Sequence, residues 1–311
     1  MYIIDGKKIR TRILTKVRQE VASLPFVPIF CDVLVGNDPM SVQYVNMKAK
    51  AATSVGICFH SASFPATITT EELVKEIEVL NKMKNMCGII IQLPLPSSIN
   101  GRTVLDAITP YLDVDFLGSI AGSEFYNGKA NRGFPTALAC MTLLDSLNLD
   151  NNPSTALKTK NIVVLGQGSL VGKPVAALLR FRGLNPIIIT SKTENKEALI
   201  KKADIIISGI GKGAYIKGDM IKSGAVLIDA GTSESPEQPA EGRVNIVGDV
   251  DLASVSEVVG FVSPVPGGVG PVTVAMLLEN VLYVAKFLNK TRAFGSEAQA
   301  RRDDFTKSNE Q

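Results

Sequence analysis

Short apolar runs alternate with amphipathic stretches along most of the chain. In the first part, VPIFCDVLVG (residues 27–36) and GIIIQLPL (88–95) predict buried strands, and residues 41–55 and 71–84 predict the helices between them. From residue 161, strand-like runs NIVVLG, PIIIT, DIIISGI and AVLIDAG alternate with helix-like PVAALLRFRG and KEALIKKA. Such alternation is typical of α/β proteins, in which helices cover both faces of a parallel sheet.

A polar stretch divides this pattern into two domains. NLDNNPSTALKTK (148–160) contains a proline, lacks periodicity and reads as a linker, which predicts a boundary near residue 145. The Pro/Gly loop and apolar helix in 262–288 predict a C-terminal helix that packs back on the first domain. We therefore expect a first domain of residues 1–145 plus 270–290, a Rossmann-type second domain of 146–269, and a disordered polar tail of 291–311.

Composition narrows the function classes. The 311 residues are 45% hydrophobic and 20% charged, with a net charge of +3, which excludes a mainly disordered chain and makes nucleic acid a poor candidate partner. The four cysteines are dispersed and His60 is the only histidine, so we expect no metal site. No apolar run has the length of a membrane span, and the chain starts without a signal-peptide pattern, which predicts a cytoplasmic protein. With one histidine, a general base is expected among Lys, Asp, Glu, Tyr or Cys.

A glycine-rich turn follows the strand NIVVLG. Gly166, Gln167 and Gly168 begin a G-x-G-x-x-x-G pattern that opens a helix, where backbone N–H groups bind a pyrophosphate. The alternative is a plain strand-to-helix turn. After the next strand, Ser191 lies between a threonine and a lysine, and hydroxyls with an ammonium group suit a 2′-phosphate. The pattern favours NADP over NAD, with a solvated loop as the simpler alternative.

Further polar side chains are candidates for chemistry. Tyr44 and Lys48 are four residues apart and share a helix face, although such a pair is commonly a half-buried ring beside a solvated lysine. Gln92 follows an apolar strand, where α/β proteins bind ligands, and its alternative is a bond to a loop carbonyl. Asp113 and Asp115 face one way on an extended segment, but no further ligand accompanies them, so a turn is the better interpretation than a metal site.

Several motifs together resemble the methylenetetrahydrofolate dehydrogenase/cyclohydrolase family, the FolD type. They are VGNDPMSVQYVNMKAKAATSVGI, GIIIQLPLP, DVD, LVGKP, ADIIISGIGK, GAVLIDAG, GDVD and SPVPGGVGPVTVAMLLEN, spread over residues 3–288. The resemblance implies a folate-binding catalytic domain and an NADP-binding Rossmann domain with a cleft between them, usually in a homodimer. It also implies oxidation of 5,10-methylenetetrahydrofolate and hydrolysis of the methenyl product to 10-formyltetrahydrofolate, in one-carbon metabolism and purine biosynthesis.

The resemblance assigns roles to individual positions. Lys48 is similar to the family's catalytic lysine, Tyr44 to its aromatic partner, Gln92 to the side chain that orients the lysine, and Asp115 to the carboxylate that binds the pterin ring. The folate-binding wall is implied at Ile91, Leu93, Pro266 and Gly267, and the NADP contacts at Gly166, Gln167, Gly168 and Thr232. A lysine partly buried beside a cationic substrate has its charged form disfavoured, so a neutral amine is expected to act as the base in hydrolysis.

The chain departs from the family pattern at several positions. Phe116 replaces a common glycine, Ala121 a common asparagine, and Thr136-Ala137-Leu138-Ala139 the usual Thr-Pro-x-Gly. Gln167 stands where the family frequently has an arginine, which weakens the preference for NADP and leaves NAD as an alternative.

The departures leave two other functions open. One is a dehydrogenase that has lost the cyclohydrolase, and the other is a non-catalytic folate- or NADP-binding module. The Tyr/Lys spacing together with a glycine turn is also similar to short-chain dehydrogenases, but in that class the glycine turn precedes the pair, whereas here Tyr44 and Lys48 come first.

Overall fold

A computed structural model describes residues 1–147, 157–234 and 246–308, with side chains described up to residue 292. In chain order the elements are β1 (Tyr2–Ile3), α1 (Gly6–Ala22), β2 (Ile29–Val35), α2 (Pro39–Ser54), β3 (Cys58–Phe64), α3 (Thr70–Asn81), β4 (Met86–Ile91), α4 (Gly101–Asp106), α5 (Ser119–Tyr126), α6 (Pro135–Asp145), β5 (Ile162–Leu165), α7 (Gly172–Phe181), β6 (Ile187–Ile189), α8 (Lys196–Lys202), β7 (Ile205–Ser208), β8 (Val226–Asp229), β9 (Ser233–Glu234), β10 (Ile246–Val247), α9 (Leu252–Val255), β11 (Phe261–Val262) and α10 (Val269–Ser308).

The chain forms two compact units. The larger unit consists of Met1–Leu14 and Asp115–Leu277, and the smaller unit of Thr15–Val114 with the chain from Leu278 onward. The domain bounds expected from the sequence stay a prediction. Most of the predicted linker, residues 148–156, lies outside the described residues.

The smaller unit is built on a three-stranded parallel sheet in the order β3-β2-β4. The predicted strands and helices of this region are confirmed, with ends that differ by a few residues. Asp38 caps α2 by accepting a hydrogen bond from the Ser41 N–H, and Thr69 with Glu72 forms a capping box at α3. The sequence pattern did not predict β3, because its residues are mostly polar or partly exposed, as suits an edge strand.

The part of α10 from Leu278 onward belongs to the smaller unit, which confirms the predicted packing of the C-terminal helix on the first domain. Asn280 Nδ2 donates a hydrogen bond to the Val114 carbonyl oxygen at 2.8 Å, and Lys286 forms an ion pair with Glu20 of α1. The helix continues to Ser308, so the backbone of residues 291–308 is helical where the sequence predicted a disordered tail. Ala, Glu, Gln and Arg in this segment are strong helix formers, and no proline interrupts them.

The first part of α10 is unusually apolar. An 18-residue window within Val269–Arg292 has a mean hydropathy of 1.4, which by length and composition suffices for a membrane span, although polar residues interrupt its apolar run. However, 61% of the most apolar window is buried inside the protein, which is the pattern of a core helix in a globular domain.

The larger unit is built on a six-stranded sheet, β6-β5-β7-β8-β11-β1, in which every pair is parallel. This arrangement confirms the predicted Rossmann-type layout. The chain passes from β5 to β6 on one side and then to β7 on the other, so the strand order reverses between β5 and β7. Ligands of open α/β sheets bind at the carboxyl ends of the strands beside such a reversal.

Candidate active site

Lys48 and Gln92 meet in the smaller unit. Lys48 lies on α2 with 8% of its surface exposed, and its Nζ donates a hydrogen bond to Gln92 Oε1 at 2.7 Å. Gln92 follows β4, where its backbone N–H bonds to the Val33 carbonyl, and its Nε2 donates to the Leu93 carbonyl oxygen at 2.9 Å. Since one amide group bonds to the loop and to the amine, Gln92 fixes the direction of the Lys48 side chain. The structure thus brings together two predicted residues that are 44 positions apart.

Asp32 is a third member of this group, which the sequence analysis did not identify. It lies in the central strand β2, is fully buried, and its Oδ2 lies 2.6 Å from Lys48 Nζ. Burial raises the pKa of the Asp32 carboxyl group, and the nearby Lys48 charge lowers it, with burial the larger effect. The signal that could have identified Asp32 is a single acidic residue within the apolar strand IFCDVLV, because a buried charge requires a partner.

The remaining predicted folate residues of the smaller unit lie on α2 and at the end of β4. Tyr44 is half-buried one turn before Lys48, and burial raises the pKa of its phenol. Ile91 is the last residue of β4 and is buried, whereas Leu93 is partly exposed. Their roles toward a substrate stay predictions.

The segment that contains Asp113 and Asp115 leaves the smaller unit and enters the larger one. Asp113 is buried and forms a parallel bridge with Ile89 of β4, which agrees with a structural role. Asp115 is partly exposed. Within the described residues no group of three His, Cys, Asp or Glu side chains is placed to hold a metal ion.

Phe116 does not project into an open cleft of its unit. It is 2% exposed and packs in an aromatic cluster of the larger unit, with ring centroids 6.2 Å from Phe125 and 6.0 Å from Phe134. Its φ of 64° lies in the left-handed region, which explains why a glycine suits this position. Ala121, Ala137 and Ala139 are also buried, so these departures from the family pattern lie in packed core.

The glycine turn lies beside the strand reversal of the larger sheet. Gly166 directly follows β5 and has a φ of 93°, and a Cβ on Gly172 would lie 2.1 Å from the Gly166 carbonyl oxygen. Gly168 has open space where a Cβ would be. In the described chain, no side chain caps the N-terminus of α7. Its N–H groups and the open glycine fit a pyrophosphate, so the residues present suit a dinucleotide.

Other predicted cofactor residues follow β6 and β8, at the same carboxyl end of the parallel strands. Ser191 is exposed after β6, in a turn where Thr190 accepts a hydrogen bond from the Lys192 N–H, and Thr232 is exposed shortly after β8. Gln167 is exposed, and its Nε2 bonds to the Gly166 carbonyl oxygen at 2.8 Å. The structure places these residues together at one edge, and their contacts with a cofactor stay predictions.

Two buried carboxylates, which the sequence analysis did not single out, shape the loops at that edge. Asp249 accepts hydrogen bonds from Ser208 Oγ and from the N–H groups of Ile210 and Lys212, and so fixes the loop after β7. Asp229 accepts from the N–H groups of Gly231, Asp249 and Val250. Burial raises the pKa of Asp229 to about 6, an effect that the hydrogen bonds oppose.

The loop of residues 264–271 contacts the start of α1. A Cβ on Gly6 would lie 1.9 Å from the Gly268 carbonyl oxygen, so this close approach explains part of the loop's glycine content. Pro266 is exposed and Gly267 has a φ of 116°. The loop therefore has a packing function at Gly268, while Pro266 and Gly267 stay candidates for substrate contact.

Comparison with known proteins agrees with this arrangement. The catalytic-domain model of the tetrahydrofolate dehydrogenase/cyclohydrolase family matches residues 4–115, and the model of its NAD(P)-binding domain matches residues 135–289. A "Bifunctional protein FolD" of Dichelobacter nodosus is 37% identical over 293 residues, which cover 93% of this chain and 98% of the relative. This chain belongs to the tetrahydrofolate dehydrogenase/cyclohydrolase family.

Further members of the family match over most of both chains. A "Bifunctional protein FolD" of Moorella thermoacetica is 40% identical over 91% of this chain and 98% of its own length. The structure of a Trypanosoma brucei methylenetetrahydrofolate dehydrogenase-cyclohydrolase complexed with NADP and an inhibitor has a TM-score of 0.85 at 32% identity, covering 92% of this chain and 97% of that one. The FolD structure from Campylobacter jejuni has a TM-score of 0.83 at 33% identity, with 92% and 99% coverage.

Proposed function

We propose that this member of the family oxidises 5,10-methylenetetrahydrofolate with NADP and hydrolyses the methenyl product to 10-formyltetrahydrofolate. The observation that carries the proposal is the buried Lys48 amine, which Gln92 holds at 2.7 Å within the region that matches the family's catalytic domain. An amine with no catalytic function would be more stable in water than buried in the protein. Fixing its side chain by a hydrogen bond to the Gln92 amide also costs conformational entropy.

The oxidation mainly requires orientation. When bound, NADP would supply the acceptor for a hydride from the methylene carbon, and the amidinium cation that remains is stabilised by its own two nitrogens. The residues of this chain therefore bind the folate and the cofactor and align them with each other. Asp115 accepts hydrogen bonds from the pterin ring, Tyr44 packs on the folate, and Ile91, Leu93, Pro266 and Gly267 form the wall of its site.

Hydrolysis requires movement of protons in addition. Water attacks the methenyl carbon and loses a proton, N5 gains a proton as its bond to that carbon breaks, and one proton is released overall. Lys48, directed by Gln92, accepts the proton of the attacking water. The single histidine of the chain, His60, lies on the edge strand β3 and is not needed for this step.

NADP is held at the carboxyl edge of the larger sheet. Gly166, Gln167, Gly168 and the start of α7 bind the pyrophosphate, Thr232 lies nearby after β8, and Ser191 with its neighbouring lysine binds the 2′-phosphate. The exposed hydroxyls and ammonium group support NADP over NAD, although Gln167 supplies no positive charge.

The experiment is an assay of the purified protein with methylenetetrahydrofolate and either NADP or NAD. We expect reduced nicotinamide and the methenyl absorbance to appear with NADP, followed by decay of the methenyl species faster than in buffer. No reduction with either cofactor would reject the dehydrogenase, and an uncatalysed methenyl decay would leave a dehydrogenase alone.

We also propose that the enzyme is a cytoplasmic homodimer. The cysteines support a reducing compartment, because all four are free thiols in the structure, three of them buried. Sedimentation of the purified protein at micromolar concentration tests the assembly, and a monomer would contradict it.

A further inference from the structure

Asp32 has no function in the reaction described above, yet it is the most deeply buried charge near the amine. It lies in β2 between Ser61 of β3 and Ile90 of β4, with no exposed surface. Neither of its carboxylate oxygens accepts a well-aligned hydrogen bond from any described residue. Its one close polar contact that the structure gives is the ion pair with Lys48 Nζ at 2.6 Å.

A carboxylate in this position is costly unless a proton or a cation neutralises it. A buried anion without hydrogen bonds loses its hydration, and burial accordingly raises the pKa of Asp32. The amine and the carboxylate can share one proton in two ways, as an ammonium and a carboxylate or as an amine and a carboxylic acid. Both arrangements are neutral overall, so the buried site tolerates either.

Other titratable groups on the elements around the pair do not replace Asp32. On α2, β2, β3 and β4 they are Tyr44, Lys50, Cys31, Cys58, His60 and Cys87. Lys50 and Cys58 are exposed, and burial raises the pKa of Cys31 to about 12, with the Asp32 charge as a second cause. Near neutral pH, Asp32 is therefore the titratable group that can take a proton from the amine, since the Gln92 amide cannot be protonated there.

We propose that Asp32 is a positioning residue for Lys48 that holds the amine's proton while the neutral amine acts as the base. The proton moves from Nζ to Oδ2 along their contact, the N–H bond breaks as the O–H bond forms, and the amine lone pair becomes available to the attacking water. This inference rests on the proposed hydrolysis. Under it, the protonation state of Asp32 determines when Lys48 can act as a base.

A purely structural ion pair, which only attaches α2 to β2, is the competing explanation. Both explanations expect that loss of the carboxylate lowers stability. Both also expect that loss of the carboxylate lowers the pH at which Lys48 becomes neutral, because each places a negative charge beside the amine. Only the proposal expects Asp32 and Lys48 to titrate together and methenyl hydrolysis to follow that titration. The test therefore compares the protonation of Lys48 with that of Asp32 and with the pH profile of hydrolysis.

The experiment compares the wild type with Asp32→Asn, which keeps the shape of the side chain, and with Asp32→Glu, which keeps its charge. Asp145→Asn is the matched control, because Asp145 also forms a 2.6 Å ion pair, with Arg182, far from α2 in the sequence. The rate of cyanate carbamylation at Lys48 is measured by mass spectrometry between pH 5 and 10, with exposed Lys50 as an internal standard. Cyanate reacts with the neutral amine only.

In Asp32→Asn we expect the midpoint of Lys48 labelling to fall by about one pH unit or more, because a buried ammonium loses its counter-charge. The midpoint of the acid limb in the pH–rate profile of methenyl hydrolysis should shift to lower pH by the same amount. The pH profile of hydride transfer and the labelling of Lys50 should not change. Asp32→Glu should restore the wild-type midpoint, and Asp145→Asn should resemble the wild type. An unchanged midpoint in folded Asp32→Asn would overturn the proposal.

A second measurement covers the case in which Asp32→Asn does not fold. In the wild type, the ¹³C resonance of the Asp32 carboxyl group should shift over the same pH range as Lys48 labelling, since the two groups share a proton. Independent titrations would overturn the proposal. Neither the labelling nor the resonance requires turnover. An inactive protein would therefore reject the proposed function, while these two measurements would still decide the role of Asp32.

Discussion

Phe116 combines an unfavourable backbone conformation with a favourable side-chain environment. A non-glycine residue in the left-handed region costs about 1–2 kcal/mol, whereas removing a buried phenylalanine ring costs about 3–5 kcal/mol. The ring contacts of Phe116 with Phe125 and Phe134, and the Arg132 guanidinium 5.2 Å from its centroid, thus outweigh the strain. The substitution of the family's glycine stabilises the larger unit's core.

We therefore expect Phe116→Gly to lower the free energy of unfolding by about 1–4 kcal/mol, the difference between those two effects. Denaturant unfolding followed by circular dichroism measures it. A variant as stable as the wild type would show that backbone strain at this position cancels the packing of the ring.

Asp115 is the predicted contact with the pterin ring. Replacing it by alanine removes the hydrogen-bond acceptor, and a charged hydrogen bond contributes about 1.5–3 kcal/mol, so we expect folate affinity to fall by about 10- to 150-fold with NADP affinity unchanged. Equilibrium titration with a folate analogue and with NADP checks this. Unchanged folate affinity would remove Asp115 from the substrate site.

Residue patterns revealed some members of the site and hid another. Tyr44 and Lys48 could be found by their spacing and by resemblance, and Gln92 by its position after an apolar strand. Asp32 was missed because it is a short acidic residue inside a strand whose pattern is otherwise uniformly apolar. Its role depends on the packing of α2 against β2, which brings Lys48 close to a residue 16 positions earlier in the chain and which no local pattern encodes.

At the scale of elements, the glycine turn depends on backbone contact. Gly172 begins α7 so close to Gly166 that a methyl group has no space, with 2.1 Å to the carbonyl oxygen. Gly172→Ala should shift the start of α7 away from β5, weaken NADP binding at least tenfold, and destabilise the larger unit. Gly168→Ala is the matched control for stability, because nothing lies within 4 Å of its Cβ position.

Isothermal titration with NADP and thermal unfolding of both variants test this expectation. Tight NADP binding by Gly172→Ala would mean that the turn tolerates displacement. An equal loss of stability in Gly168→Ala would mean that backbone freedom, and not contact with Gly166, is the reason for glycine at these positions.

The long buried elements could be predicted from periodicity, and the short or exposed ones could not. β5, β7 and β8 are continuous buried runs, and α3 has a capping box, so their positions follow from local sequence. In contrast, β1 and β11 contain two residues each and exist through pairing with distant strands. The helical continuation of α10 was missed because its charged residues resemble those of a solvated tail.

At the scale of the whole molecule, the two binding functions are built on separate sheets. The three-stranded sheet positions Lys48, Gln92 and Asp32, and the six-stranded sheet presents the glycine turn at its strand reversal. This division matches the two chemical requirements, since hydride transfer depends on aligned ligands and hydrolysis depends on a base. Variants of the smaller sheet's amine should therefore separate the two activities.

The most direct test of this account is the ratio of the two activities in Lys48→Met, which keeps most of the side-chain volume, measured in one cuvette by nicotinamide and methenyl absorbance. Loss of a general base lowers a rate by about 10²–10⁴-fold, so we expect methenyl hydrolysis to fall by that amount and hydride transfer to fall much less. In this variant the buried Asp32 carboxylate has lost its counter-charge, and a bound proton would neutralise it. Equal losses of both activities would contradict the account and show that Lys48 only positions the substrate.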